Sequence, residues 1–157
     1  MPTVQKDSAV LLCIDSNLDV LGCEKAFLEA FGYTVLTAPS DSKGLELASV
    51  HSVDVVIVDY FMPEMNGQEF AIRMRRLKPK APIIMLSAAV DVPKQALKLV
   101  NAFVQKDQLA SHLLPAIAQL QESQSISTRS YGQRRAPSRK VMCNLDQTTP
   151  PRTPNTR

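Results

Sequence analysis

Residues 53–67, Val-Asp-Val-Val-Ile-Val-Asp-Tyr-Phe-Met-Pro-Glu-Met-Asn-Gly, pass from an almost continuous Val/Ile run to a carboxylate and then into a short loop holding Pro63 and Gly67. An apolar run without polar alternation suits a strand covered on both faces, the situation of a central parallel strand. In open α/β sheets ligands bind beyond the carboxyl ends of the strands. Asp59, which closes the run, therefore stands where chemistry is expected. A lone strand-terminal aspartate also serves turns and caps, so the rest of the chain has to decide between the two.

Strand and helix patterns alternate five times around this segment. Residues 9–15, 33–38, 54–59, 82–87 and 101–105 read as strands. Between them, Val20, Cys23, Phe27 and Phe31 predict the buried face of a first helix, Leu45 and Ala48 mark a second, and Phe70, Met74 and Leu77 a third. Pro93 suits the first turn of a short fourth helix. Leu109, Leu113, Ile117 and Leu120 stripe a fifth, inside which Pro115 removes a backbone donor and costs about 3 kcal/mol unless a kink relieves it. Such alternation implies an α/β domain, a parallel sheet with helices on both faces, because right-handed crossovers deliver them there. The doubly wound, flavodoxin-like order for five strands is 2-1-3-4-5, which gathers the ends of strands one, three, four and five. Asp15, Asp59, Ser87 and Lys106 then meet at one rim.

The chain has 157 residues, 45% of them hydrophobic, enough for one core but not for a second full domain. We divide it into an N-terminal extension (1–7), a folded domain (8–121) and a basic tail (122–157). Seven Lys and Arg face two acids after Gln121, whereas 11 face 13 in the preceding residues. The tail is rich in Ser, Thr, Gln and Pro without apolar periodicity, and is expected to stay disordered. Its Arg134-Arg135 and Arg139-Lys140 pairs beside Tyr131 are the one place for contact with nucleic acid or an acidic surface. A solvated linker is the plainer reading, so nucleic acid is not an expected partner of the domain. No window approaches about 18 uncharged apolar residues and the start lacks a signal-type core, so the expectation is a cytoplasmic protein with no membrane partner. Cys13, Cys23 and Cys143 form neither a metal motif nor a disulfide framework, and His51 and His112 lie away from the rim. Glycine-rich phosphate loops and an appended helix-turn-helix are both missing from the pattern.

The Asp59 strand and its Met-Pro-Glu-Met-Asn-Gly continuation, with Asp15, Ser87 and Lys106 in order, resemble the receiver domain of two-component response regulators over residues 8–121. The likeness is to chemotaxis-regulator-like, single-domain receivers. It implies a phosphorelay signalling switch rather than a metabolic enzyme, a phosphoprotein carrying an aspartyl phosphate on Asp59 donated by a histidine kinase or phosphotransfer protein. It further implies that Asp15, Asp59 and the Phe61 backbone carbonyl hold Mg²⁺, that Ser87 and Phe103 are the switch residues, and that Lys106 is the cation on the phosphoryl group. Pro63 and Gly67 would shape the loop, and a downstream protein would read the face of the fourth and fifth elements. The chemistry is coherent: a carboxylate attacks phosphorus while a cation, a hydroxyl and an ammonium offset the charge.

Two positions depart from the family pattern. Ser16 stands where receivers carry a second acid that ligates the metal, so Ser16 is a weak ligand or none, and Mg²⁺, which retains waters readily, is expected to bind less tightly. Asp107 follows Lys106 where receivers commonly have proline; it suits a helix cap and a trans peptide. Ser16 motivates an alternative, a degenerate receiver that binds partners without phosphorylation. A phosphatase or dehalogenase-like use of Asp59 is disfavoured, because such enzymes want an acid two residues later and Phe61 is there. Taken alone, Asp15 reads equally as the N-cap of the first helix.

Overall fold

The structure, a computed structural model, describes residues 8–132. The extension 1–7 and tail residues 133–157, including both basic pairs and Cys143, lie outside the described residues. Five strands, β1 (Val10–Ile14), β2 (Thr34–Ala38), β3 (Val55–Asp59), β4 (Ile83–Ser87) and β5 (Ala102–Gln105), form one parallel sheet in the order β2-β1-β3-β4-β5. This is the expected doubly wound arrangement. The helices are α1 (Leu18–Ala30), α2 (Asp41–Val50), α3 (Gly67–Leu77), α4 (Lys94–Leu97) and α5 (Leu109–Gly132), with a 3₁₀ turn at Lys106–Gln108 before the last.

Alternation of side chains along each strand splits the core into two layers. Leu11, Cys13, Val55, Ile57, Ile84, Leu86 and Val104 meet Leu21 and Leu28 of α1 and Leu113 and Ile117 of α5 on one face. Leu12, Ile14, Val56, Val58 and Ile83 meet Ala48 of α2 and Phe70, Ala71 and Met74 of α3 on the other. β3 and β4 are buried throughout, as their unbroken Val/Ile/Leu runs require. Each fully buried Leu, Ile or Val in these layers favours folding by about 1.5–3 kcal/mol.

Several expectations are corrected at the helices. The fully buried residues of α1 are Leu21, Glu24 and Leu28; of the expected face, Phe27 packs against the same layer, Val20 is half-buried, and Cys23 and Phe31 are exposed. Phe27 and Phe31 also pack edge to face, 5.2 Å between centroids. Asn17, rather than Asp15, caps α1, its Oδ1 accepting from the Asp19 and Val20 amides at 3.0 and 3.3 Å. Asp107 lies within the 3₁₀ turn, which has no side-chain cap bond, and no peptide among the described residues is cis. Pro93 sits one place before α4, at its N-cap. α5 passes through Pro115 and does not stop at Gln121, so residues 122–132, expected to be unfolded, are helical. Pro115 and Ser111 are both exposed, leaving the Ser111 carbonyl deprived of its helical donor within reach of water. Beyond Gln121 no Gly or Pro intervenes before Gly132, and Ser123 and Ser125 return hydrogen bonds to the carbonyls four residues earlier. Among the described residues no helix is long and apolar enough to cross a membrane.

Candidate functional site

The strand order brings four polar residues to one rim. Asp15 follows β1, Asp59 and Ser87 end β3 and β4, and Lys106 follows β5. Asp15, Asp59 and Ser87 are buried, at 2%, 6% and 0% exposure. Lys106 reaches across the sheet ends: its Nζ donates to Asp15 Oδ2 at 2.6 Å and lies 3.2 Å from Asp59 Oδ2. Asp15 Oδ1 accepts from the Asn17 amide at 2.8 Å, so both oxygens of Asp15 are engaged. Asp59 Oδ1 is buried without a hydrogen-bond partner.

Burial pushes the Asp59 carboxyl above the ordinary value; Lys106 pulls against the shift and the Asp15 charge adds to it. Burial alone would lower the Lys106 pKa, but its hydrogen bond to Asp15 and the charges of Asp59 and Asp15 outweigh this, and the net shift is upward. The ammonium is therefore held charged between two carboxylates.

The loop after β3 is fixed at close quarters. Gly67 N donates to Tyr60 O at 2.8 Å, and a Cβ at Gly67 would lie 2.8 Å from Asp59 O and 2.9 Å from Tyr60 Cα. Glycine is the residue that permits this backbone approach. Pro63 is exposed in the same loop. Phe61 is exposed and its ring packs edge to face on Tyr60 at 4.8 Å.

Ser87 Oγ accepts from the Ala89 amide at 3.0 Å, turned into its own loop. Phe103 is half-buried and packs, with Tyr60, against Met85, Val92 and Ala96. Ser16 is exposed and lines a separate cleft of about 180 Å³ with Asp41, Met62, Pro63, Glu64 and Met65. No trio of metal-type side chains is assembled among the described residues. The rim offers two carboxylates, and oxygen donors suit a hard cation that keeps several of its waters; the unpartnered, buried Asp59 Oδ1 is the feature that fits it.

Glu24 was not legible as part of this region. It projects from α1 with 4% exposure, Oε1 has no partner, and its pKa is pushed up to about 7 by burial and then by the Asp15 charge, with Lys106 opposing and Asp59 adding. The signal available in sequence is its place three residues after Leu21 and four before Leu28, on the face that packs against β1 and α5.

Residues 11–118 match the family model of the response regulator receiver domain. Among curated proteins, the transcriptional regulatory protein GlrR of Escherichia coli K12 is 34% identical over 85 residues, 54% of this chain; the match takes in 19% of GlrR, so the chain spans a small part of that relative's length. Among solved structures, a response regulator receiver domain protein from Clostridium thermocellum superposes with a TM-score of 0.70 at 28% identity, covering 76% of this chain and 98% of that one. The response regulator TrrA of Thermotoga maritima, solved in complex with Mg²⁺-BeF, gives 0.68 at 26% identity, covering 71% and 98%. Sheet order and these likenesses agree, and the chain belongs to the response regulator receiver domain family.

Proposed function

We propose that this receiver is a phosphorylation-dependent signalling switch that takes a phosphoryl group on Asp59 from the phosphohistidine of a histidine kinase or phosphotransfer protein. The observation that carries this reading is the asymmetry of the Asp59 carboxylate: Oδ2 faces the Lys106 ammonium at 3.2 Å, while Oδ1 is buried with no partner. In the transfer, a carboxylate oxygen forms the new O–P bond as the P–N bond to imidazole breaks, and the imidazole departs with its proton. Lys106 offsets the charge that gathers on the phosphoryl oxygens. Mg²⁺ bound by Asp15, Asp59 and the Phe61 carbonyl would neutralise further charge there, as the Mg²⁺-BeF complex of TrrA suggests by likeness.

The readout follows from Ser87 and Phe103. Ser87 Oγ accepts from one amide of its own loop, which leaves its hydroxyl hydrogen to be donated to a phosphoryl oxygen once the side chain turns toward Asp59. Phe103 belongs to the small cluster with Tyr60, the residue next to Asp59, so movement at the phosphoacceptor is passed to the β4–α4–β5 face by packing. That face is where a downstream protein would dock.

One observation favours the alternative of a degenerate, phosphorylation-independent binding module. Ser16 is exposed and lines the neighbouring cleft, without a carboxylate to offer the metal. Intact mass after incubation with acetyl phosphate, with and without Mg²⁺, separates the two readings. A Mg²⁺-dependent gain of one phosphoryl group, lost in Asp59→Asn, supports the switch. No gain in the parent but a gain in Ser16→Asp establishes the degenerate receiver.

A further inference from the structure

Leu21, Glu24 and Leu28 lie on one face of α1, and that face is packed into the layer shared with α5. A leucine at position 24 would complete an apolar stripe; a carboxylate there buries an oxygen without a partner, a destabilising arrangement in a core. The groups facing it come from every neighbouring element. Cys13 lies in β1 and its thiol is pushed up by burial and by the Glu24 charge; Asp15 follows β1, Asp59 ends β3, and Lys106 follows β5. Lys25, next on the helix, is turned away to Val35 O and Glu29.

Glu24 and Lys106 line the same groove between α1 and α5, about 400 Å³ in volume and otherwise walled mainly by Val20, Cys23, Phe27 and Leu109. The Lys106 side chain thus runs between two sets of carboxylates, Asp15 and Asp59 at the rim and Glu24 inside. An ammonium has three donors, and the rim carboxylates face it with two oxygens. Asp19, also at the groove, is exposed.

We propose that Glu24 is a positioning residue for Lys106, receiving the ammonium when Asp15 and Asp59 turn their oxygens to a divalent cation. The inference rests on the reading that those two aspartates bind Mg²⁺. A dication at the rim repels an ammonium a few ångströms away, and a half-buried ammonium without a counter-charge is unfavourable. Glu24 offers a buried carboxylate with a free oxygen in the direction the side chain can retreat. The negative charge that Ser16 does not provide beside the metal is supplied from within the core, through the lysine.

The test is Mg²⁺ binding by calorimetry to the parent, Glu24→Gln, Glu24→Leu, Lys106→Met and the Glu24→Gln/Lys106→Met pair, with melting temperatures for all and the Lys106 side-chain ammonium resonance followed by NMR. Glu24→Gln and Glu24→Leu are expected to melt no lower than the parent yet bind Mg²⁺ about tenfold more weakly. In the Lys106→Met background the Glu24→Gln change should lose its effect. The Lys106 resonance should shift on Mg²⁺ saturation in the parent and follow a different course in Glu24→Gln. Unchanged affinity in both Glu24 variants, or an equal loss with and without Lys106, overturns the inference while leaving the cation reading intact. A parent that binds no Mg²⁺ removes both.

Discussion

Glu24 and Gly67 are single residues whose environments make measurable demands. Glu24 titrates near 7 in the fold instead of its ordinary 4.5, raised first by burial and then by Asp15. A raised folded pKa means that the native state holds the proton more tightly, so its contribution is complete below about pH 4.5 and is lost as pH rises through about 7. Asp15, Asp59, Lys106 and Cys13 share this environment and shape the profile. Between pH 5 and 8 the parent should lose stability on the order of 3 kcal/mol or less. Thermal melts of Glu24→Gln over the same range should show a flatter profile; an identical slope would deny Glu24 this role. At Gly67 the obstruction is backbone, which has little room to give. Gly67→Ala should therefore cost about 1–3 kcal/mol and displace the Asp59–Tyr60 peptide. Denaturant unfolding measures the first, and a slower reaction with acetyl phosphate reports the second.

At the scale of elements, Arg75 of α3 ties together parts that have little regular structure of their own. Its guanidinium donates to Leu99 O, Pro79 O, Ala81 O and Asn101 Oδ1, and Asn101 Oδ1 also accepts from the Ile83 amide. Arg75→Ala takes the side-chain donor from the Leu99, Pro79 and Ala81 carbonyls, while Asn101 Oδ1 keeps the Ile83 amide, and should destabilise by about 2 kcal/mol, with faster amide exchange at residues 99–101 as its mark. Uniform exchange across the domain in that variant would refute a local tether. The strands were legible because a doubly covered strand must be apolar throughout, as β3 and β4 are. The rim residues followed, since parallel strands in this order present all their carboxyl ends on one side. α1 was legible as a helix but not in its rotation. Val20-Cys23-Phe27 and Leu21-Glu24-Leu28 have the same spacing, and apolar counting prefers the stripe without a carboxylate. Packing chose the other, and the error of one residue hid Glu24. The length of α5 was obscured for a different reason: polar Ser and Gln residues weaken the periodic signal without forbidding a helix, and the described helix runs through position 132.

For the whole molecule, both core layers are complete before the end of α5. Leu113 and Ile117 are buried and Leu120 packs against them, whereas Glu122, Ser123, Ser125, Ile126 and Ser127 are exposed. A chain ended after Gln121 should keep its stability within about 0.5 kcal/mol and its rate of labelling by acetyl phosphate. A large fall in melting temperature would show that the later residues brace the body. The two layers also differ in what they enclose, since the α1–α5 side holds an acid beneath the rim and the α2–α3 side is closed by Phe70 and Met74. Between Ser87 and Phe103 the helical structure amounts to the four residues of α4, anchored by Val92 and Ala96 rather than by a long ladder of backbone bonds. Opening this stretch breaks few cooperative contacts, so it is expected to open at free energies below those that unfold the sheet, which amide exchange would measure. On the proposed reading, a signal arriving at Asp59 would be delivered to a segment held by few cooperative contacts, where a binding partner would select one shape from an ensemble rather than meet a rigid surface.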